Sequence, residues 1–322
     1  MDKLRVAVLI PCYNEEAAIA TVVRDFRSAL PQAVIHVFDN NSTDRTVEIA
    51  RRAGAVISHV TLQGKGNVIR RMFADVEADV YVMVDGDDTY HADSSPAMVD
   101  RLLAEGLDMI VGRRVSGDAA SYRAGHRFGN RVLTGFVAYL FGRSFTDILS
   151  GYRVFSRRFV KSFPALAKGF ETETELTVHA LQLRMPVAEI DTPYKARPEG
   201  SFSKLSTYRD GVRILRTIIR LFRLERPRLF YGLMGAVLAA ASVGLATPLA
   251  ITYMETGLVP RLPTAVLATG LGLLASLSLT CGLILENVTR GRQEARRLVY
   301  LGIPRCAAPG DAGAAQCVRA GE

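Results

Sequence analysis

Short apolar runs and amphipathic stretches take turns along the first quarter of the chain. Residues 4–10 (LRVAVLI) run apolar into the polar turn PCYNEE, and 34–38 (VIHVF) run apolar into Asp39. Two more runs follow at 55–60 and 80–84, the second ending at Asp85. Between them, 17–30, 43–54 and 66–78 carry helical spacing; Ser42 and Thr43 open the second of these helices and Gly54 closes it. Runs that are apolar at nearly every position suit strands covered on both faces. Strands alternating with helices in this way predict an α/β fold around an open, mostly parallel sheet. Ligands of such sheets bind beyond the carboxyl ends of the strands. Asn14, Glu15, Asp39, Asp85 and Asp87 all fall there, which favours one site over scattered turns.

Beyond residue 115 the pattern is helical over 122–142, irregular around FTDILSGYRVFSRR, and helical again over 171–184. Two later runs, 229–254 and 264–285, contain no charged residue. Crossing a bilayer core of about 30 Å takes roughly 20 helical residues, so both are read as membrane spans. In KLSTYRDGVRILRTIIRLFRLERPR, just before them, Arg209, Arg213, Arg216, Arg220 and Arg223 fall within an arc of roughly 80°. Val212, Ile214, Leu215, Ile218, Ile219, Leu221 and Phe222 cover the other side, the pattern of a helix lying in the membrane interface.

The expected organisation is a catalytic-type domain over 1–203, interfacial helices over 204–228, a two-helix hairpin over 229–286, and a basic segment with a disordered tail over 287–322. The net charge of +8 is placed accordingly. Arginines crowd the cytoplasmic approaches (Arg213 to Arg228, and Arg290 to Arg297), whereas the loop between the spans holds Arg261 alone. The positive-inside rule puts both ends in the cytoplasm of a multi-pass inner-membrane protein. It also makes membrane lipid, not nucleic acid, the partner of these charges. MDKLRVAVLIPCYNEE does not read as a signal peptide. Cys12, Cys281, Cys306 and Cys317 show no paired or CxxC spacing, which fits a reducing compartment. Gly232-x-x-Gly235 and Gly270-x-Gly272 suit close helix packing and a homo-oligomer.

The chemistry gathers in YVMVDGDDTYHAD, residues 81–93, where a buried strand runs straight into Asp85, Asp87 and Asp88. Such a cluster demands positive charge. Two carboxylates flanking Gly86 can share a hard divalent cation, Mg²⁺ or Mn²⁺, whose remaining ligands are phosphate oxygens.

VLIPCYNEE, VFDNNSTDRT, GKGNVIRRMF, VDGDDTY, DMIVGRR, TDILSGYRVFSR and RPEGSFSKL, in this order, resemble the inverting family 2 glycosyltransferases. The nearest likeness is to polyprenyl-phosphate (dolichol-phosphate-type) glycosyltransferases with two C-terminal membrane helices. That resemblance implies a GT-A, Rossmann-like catalytic domain, a nucleotide-sugar donor (UDP-sugar before GDP-sugar) and a polyprenyl phosphate acceptor. It implies that Pro11, Tyr13 and Glu15 cradle the nucleotide, that Asp39 contacts the base and that Lys65 lies near the donor. Asp85, Gly86 and Asp87 would hold metal and diphosphate. Arg113, Arg127 and Arg131 would take the lipid phosphate, Asp147 would organise the acceptor loop, and Arg197 and Lys204 would close over the diphosphate. Relatives often carry Gln where this chain has Thr89, which leaves a third metal contact open.

Each residue also has a plainer reading. Asp39 could cap the helix near Thr43, Lys65 could be a solvated lysine, and any one arginine a surface charge. Glu171, Glu173 and Glu175 read first as carboxylates favoured at a helix start, and His91 and His126 as structural. Three rival functions share these features. A processive synthase would carry a Gln-x-x-Arg-Trp motif, and this chain has no Trp. A membrane-anchored transferase acting on a non-polyprenyl acceptor and an inactive nucleotide-sugar-binding scaffold stay as alternatives.

Overall fold

The computed structural model describes residues 4–115, 134–139, 145–167, 169, 171–195 and 207–305, the side chains of 207–215 excepted. The chain divides into two units, Met1–Gly211 with Arg296–Glu322, and Val212–Ala295.

In the first unit, β1 (Val6–Cys12), β2 (Val34–Asp39), β3 (Val56–His59) and β4 (Val80–Met83) alternate with α1 (Ile19–Ala29), α2 (Thr46–Arg52) and α3 (Lys65–Asp75). Then come α4 (Ser95–Ala104), β5 (Met109–Val115), β6 (Arg153–Ser156), α5 (Arg157–Ser162), α6 (Thr172–Leu183) and β7 (Val187–Pro193). The seven strands form one sheet in the order β3-β2-β1-β4-β6-β5-β7. Among the described residues only β6 runs antiparallel to its neighbours. All the parallel strands therefore end at one edge, and β6 begins there.

The buried runs explain the layering. Val6, Val8 and Ile10 of β1 and Val80 and Val82 of β4 join Val22, Val23, Phe26, Met98 and Leu102 in one cluster. The alternate residues Leu9, Tyr81 and Met83 are equally buried and, by the two-residue period of a strand, point to the opposite face. There Phe73 meets Tyr81, Phe155 and Phe163 edge-on, and Phe159 stacks between Phe155 and Phe163. In α1, Ile19, Val22, Val23 and Phe26 repeat at three- and four-residue steps and are all buried. Burying each such side chain contributes about 1.5–3 kcal/mol.

Three sequence expectations change. FTDILSGYRVFSRR is not irregular throughout: its RVFS is a fully buried strand in the middle of the sheet. Arg153, also fully buried, disguises it. The strand β7 was not expected either; VAEIDTP sits at the sheet edge, and its alternating acids weaken the apolar signal. The helix predicted from 43 starts at Thr46, because Asp44 accepts from the Thr46 N–H (3.0 Å) and hydroxyl (2.5 Å) and holds the preceding residues in a turn. Of the stretch 122–142, only 134–139 is described, and it is helical. Arg127 and Arg131, Arg197 and Lys204, and the tail beyond residue 305 lie outside the described residues.

The second unit carries most of α7 (Thr207–Glu225), all of α8 (Pro227–Thr256) and most of α9 (Leu262–Leu301). α8 and α9 are long and apolar enough to cross a membrane, and their exposed Leu, Val and Ile side chains suit a lipid environment. α8 opens with Pro at its first position and closes on the left-handed Gly257. Small residues bring the two helices together. The Ser242 hydroxyl donates to the Ala268 carbonyl (2.7 Å) and Ser278 to that of Tyr231 (2.8 Å). A Cβ at Gly235 would lie 3.1 Å from the Ala275 carbonyl oxygen. Gly235 thus serves packing within the hairpin, while Gly232 and Gly270 have open space beside them. From Arg296 onward α9 belongs to the first unit: Tyr300 donates to Asp108 (2.7 Å), and Arg296 to Gln182 (2.9 Å).

Candidate active site

The polar turns at the carboxyl edge are tied to one another before any ligand enters. After β1, Asn14 adopts a left-handed conformation (φ 51°). Its N–H donates to the Ser42 hydroxyl (2.9 Å), and its side-chain oxygen accepts from the Thr43 N–H (2.8 Å). The Glu15 N–H donates to the Thr46 hydroxyl (2.8 Å). The loops carrying Pro11, Tyr13 and Glu15 on one strand and Asp39 on the next thus form one locked surface. Glu15 is buried in it and Tyr13 is exposed. Asp39 does not cap α2: it accepts from the Ser42 N–H (3.2 Å) and faces His59 Nδ1 (3.2 Å) across the β2–β3 pair.

The carboxylate cluster after β4 is resolved one acid at a time. Asp85 Oδ1 pairs with Lys65 Nζ at 2.5 Å. Asp87 is buried and accepts from the Thr89 N–H (3.3 Å) and hydroxyl (2.7 Å). Asp88, left-handed at φ 57°, pairs with Lys195 at 2.7 Å. Gly86 is required between them, since a Cβ there would lie 2.7 Å from Cys12 Sγ. Asp85 is pressed against backbone on its other side: a Cβ at Gly151 would collide with its carboxylate. The positive charge that the sequence assigned wholly to a metal is therefore supplied in part by two lysines.

Lys65 is not a solvated lysine. Its ammonium also pairs with the buried Glu173 at 2.5 Å, and its own side chain is only 12% exposed. Burial alone would lower its pKa, but Asp85 and Glu173 outweigh that and raise it above the ordinary lysine value. The sequence alone reads Glu173 first as a helix-start carboxylate. It does sit in the first turn of α6, but it reaches the strand-end cluster. Its neighbour Glu175 holds the Leu166 and Ala167 N–H groups at 3.0 and 2.8 Å.

At the end of β5 the two arginines part company. Arg113 makes a two-point pair with Asp191 (2.5 and 2.6 Å), directly opposite on β7. Arg114 makes one with Asp147 (2.7 and 2.7 Å) and lies over the Tyr194 ring. Asp147 is buried, which by itself would raise its pKa, yet the bonds and charge of Arg114 hold it below the usual carboxylate range. Its own N–H donates to Glu189 Oε1 at 3.1 Å. Tyr90 then connects this pair to the acidic cluster, its hydroxyl accepting from the Gly151 N–H (3.0 Å). Beneath the loop, Arg153 donates to the Ile148 (2.6 Å) and Ser150 (2.9 Å) carbonyls and to Thr177 (2.9 Å). Burial lowers its pKa to about 10.

The structure thus brings Lys65, Asp85, Gly86 and Asp87 together and holds Asp147, through Arg114, on the loop whose Gly151 lies against Asp85; it turns Arg113 toward Asp191. The sequence marks Arg114, beside Arg113 after a predicted strand, as an arginine suited to phosphate but not as the partner of Asp147; Arg153 and Lys195 were missed, and Glu173 was undervalued. The one available signal for Glu173 was FETETEL itself, acids spaced by two at a helix start. Asp85 and Asp87 could hold a divalent cation. Their donor set is hard oxygen, and Gly86 keeps side-chain bulk from between them. Among the described residues no third His, Cys, Asp or Glu joins them, which suits a cation completed by a bound diphosphate.

Comparison with known proteins agrees with this geometry. The glycosyl transferase family 2 profile matches residues 7–163. Glycosyltransferase AglJ of Haloferax volcanii is 36% identical over 258 residues, covering 77% of this chain and 82% of its own. The dolichyl-phosphate hexose transferase of the same organism is 29% identical over 223 residues, covering 69% and 96%. Among solved structures, glucosyl-3-phosphoglycerate synthase of Mycobacterium tuberculosis, in complex with Mn²⁺, UDP and glucosyl-3-phosphoglycerate, superposes with a TM-score of 0.56. It is 24% identical, over 68% of this chain and 79% of that one, a likeness of fold. The mixed sheet with its single antiparallel β6 is GT-A-like. The chain belongs to glycosyl transferase family 2.

Proposed function

We propose that the protein transfers a sugar from a nucleotide-sugar, UDP-linked before GDP-linked, to polyprenyl phosphate at the inner face of the cytoplasmic membrane. The product is a polyprenyl-phosphate-linked monosaccharide with an inverted anomeric centre. The observation that carries the reading is the meeting of Asp85, Asp87 and Lys65 at one sheet edge, in a chain that continues into two helices of membrane-spanning length. The family likeness to a dolichyl-phosphate hexose transferase supports the acceptor class. Residues 1–203 hold the chemistry, 204–228 lie in the interface, 229–286 form the hairpin, and 287–322 return to the cytoplasm.

Pro11, Tyr13, Glu15 and Asp39 receive the nucleotide on the surface formed by the loops after β1 and β2. Asp85 and Asp87 hold Mg²⁺ or Mn²⁺, which when bound neutralises the departing diphosphate. Arg197 and Lys204 add charge to the same group. A phosphate monoester acceptor has its second pKa near about 6, so the attacking oxygen is already ionised at neutral pH. The protein's task is placement and charge, not proton removal. Arg127 and Arg131 grip the acceptor phosphate; Arg113 joins them by exchanging Asp191 for it. Asp147, fixed by Arg114, keeps the loop at 146–151 in shape.

The test is transfer by the full chain in detergent, with undecaprenyl phosphate, Mg²⁺ or Mn²⁺, and a panel of UDP- and GDP-sugars. Metal-dependent formation of a lipid-phosphate sugar, lowered by Asp87→Ala about 10²-fold or more, is expected. Donor binding with no lipid product from any panel member would sink the acceptor assignment.

A further inference from the structure

Lys65 sits between two carboxylates that cannot follow it. Asp85 is backed by Gly151, where even a Cβ would collide with its carboxylate. Glu173 is held on the first turn of α6, and Glu175 binds that turn to the Leu166 and Ala167 amides. The backbone of α3 is jammed into the same corner, since a Cβ at Gly66 would overlap the Ala167 carbonyl. The four-carbon stem of Lys65 is the flexible member of the three. Glu173 Oε2, moreover, is buried with no hydrogen-bond partner among the described residues. A buried carboxylate oxygen left open in this way is a seat for a donor.

From this arrangement we infer that Lys65 is the resident counter-ion of Asp85, and that Glu173 takes it over when a divalent cation and the donor diphosphate arrive. The inference rests on the metal role of Asp85 and Asp87 proposed above and goes beyond it. A cation at Asp85 competes with the ammonium for the same carboxylate and repels it at contact distance. Glu173 already holds the ammonium through one oxygen and offers its second, open oxygen to receive it. No bond is made or broken in the hand-over. Glu173 acts through Lys65 and is a positioning residue.

The experiment is a Mn²⁺ titration of the purified full chain, free Mn²⁺ being read by its electron paramagnetic resonance signal, with and without UDP. Lys65→Met releases Asp85 and is expected to tighten Mn²⁺ binding without nucleotide by about tenfold, the size of one competing charge-assisted bond. Glu173→Gln leaves the ammonium to Asp85 alone and is expected to weaken it by a similar factor. The discriminating result is the double variant: with Lys65 gone, Glu173→Gln changes nothing further. A merely structural Glu173 would weaken binding equally in both backgrounds, and that result overturns the hand-over. So does Lys65→Met with wild-type Mn²⁺ affinity, which decides the matter even if Glu173→Gln fails to fold. Wild-type protein that binds no Mn²⁺ with UDP, or binds it as well after Asp87→Ala, overturns instead the metal reading beneath the inference.

Discussion

Arg113 and Arg114 are consecutive on one strand, and each grips an aspartate with two nitrogens at nearly the same distances. Strand pleating sends them to opposite faces, and there the likeness ends. The Arg113–Asp191 pair is open to water, with side chains 42% and 58% exposed; for Arg114–Asp147 the figures are 14% and 7%. Water screens the first pair, and its Coulomb gain is offset by the entropy of holding two side chains still. The second has given up hydration on both partners, so its worth lies in what happens when one is removed. Similar geometry makes a surface ornament on one face of β5 and a fixed corner of the site on the other. The open pair is the one that the proposed acceptor role of Arg113 would have to exchange, whereas the buried Arg114–Asp147 pair is fixed.

The comparison can be broken in order of size. Arg114→Ala strands a buried carboxylate and should cost about 3–5 kcal/mol, read as a large fall in melting temperature in detergent. A fall no greater than that of Arg113→Ala would erase the distinction. Acid sharpens it. The Asp147 pKa is held below its reference of 3.8, so its stabilising contribution is complete above that value. It fades as pH drops through the lower folded-state value. Wild type and Arg114→Ala should therefore converge in melting temperature below about pH 4, while differing at pH 7; a gap that persists unchanged in acid would contradict the assignment. Smallest is Arg113→Ala, expected to leave the melting temperature unmoved at physiological salt. Its effect should instead appear as weaker use of the lipid acceptor, a rise in KM with donor affinity unaltered.

Much of this was readable from the chain. LRVAVLI and VIHVF declare strands covered on both sides, because a sheet between two helical layers has use for apolar residues at nearly every position. The charge-free runs before and after Arg261 declare helices long enough for a bilayer by length and composition alone. VDGDD at a strand end marks the edge where ligands bind, because the parallel strands preceding it must all end on that side. These are local signals, carried by period, length and neighbours in sequence.

What only the tertiary structure decided involves partners far apart in the chain. That Arg153 lies inside the sheet is invisible locally, since its compensation comes from the Ile148 and Ser150 carbonyls and from Thr177. That Arg114 and not Arg113 holds Asp147 depends on which face of β5 the 146–151 loop crosses. That Lys65 is shared by Asp85 and Glu173 joins residues from α3, the end of β4 and α6. The sequence by itself determined the parallel strands β1 to β4, the helices of span length and the acidic edge, because hydrophobic period is written along the chain. Which charge neutralises which was settled only by packing, because an ion pair's partner and its worth are set by distance and burial, and neither is a property of sequence neighbours.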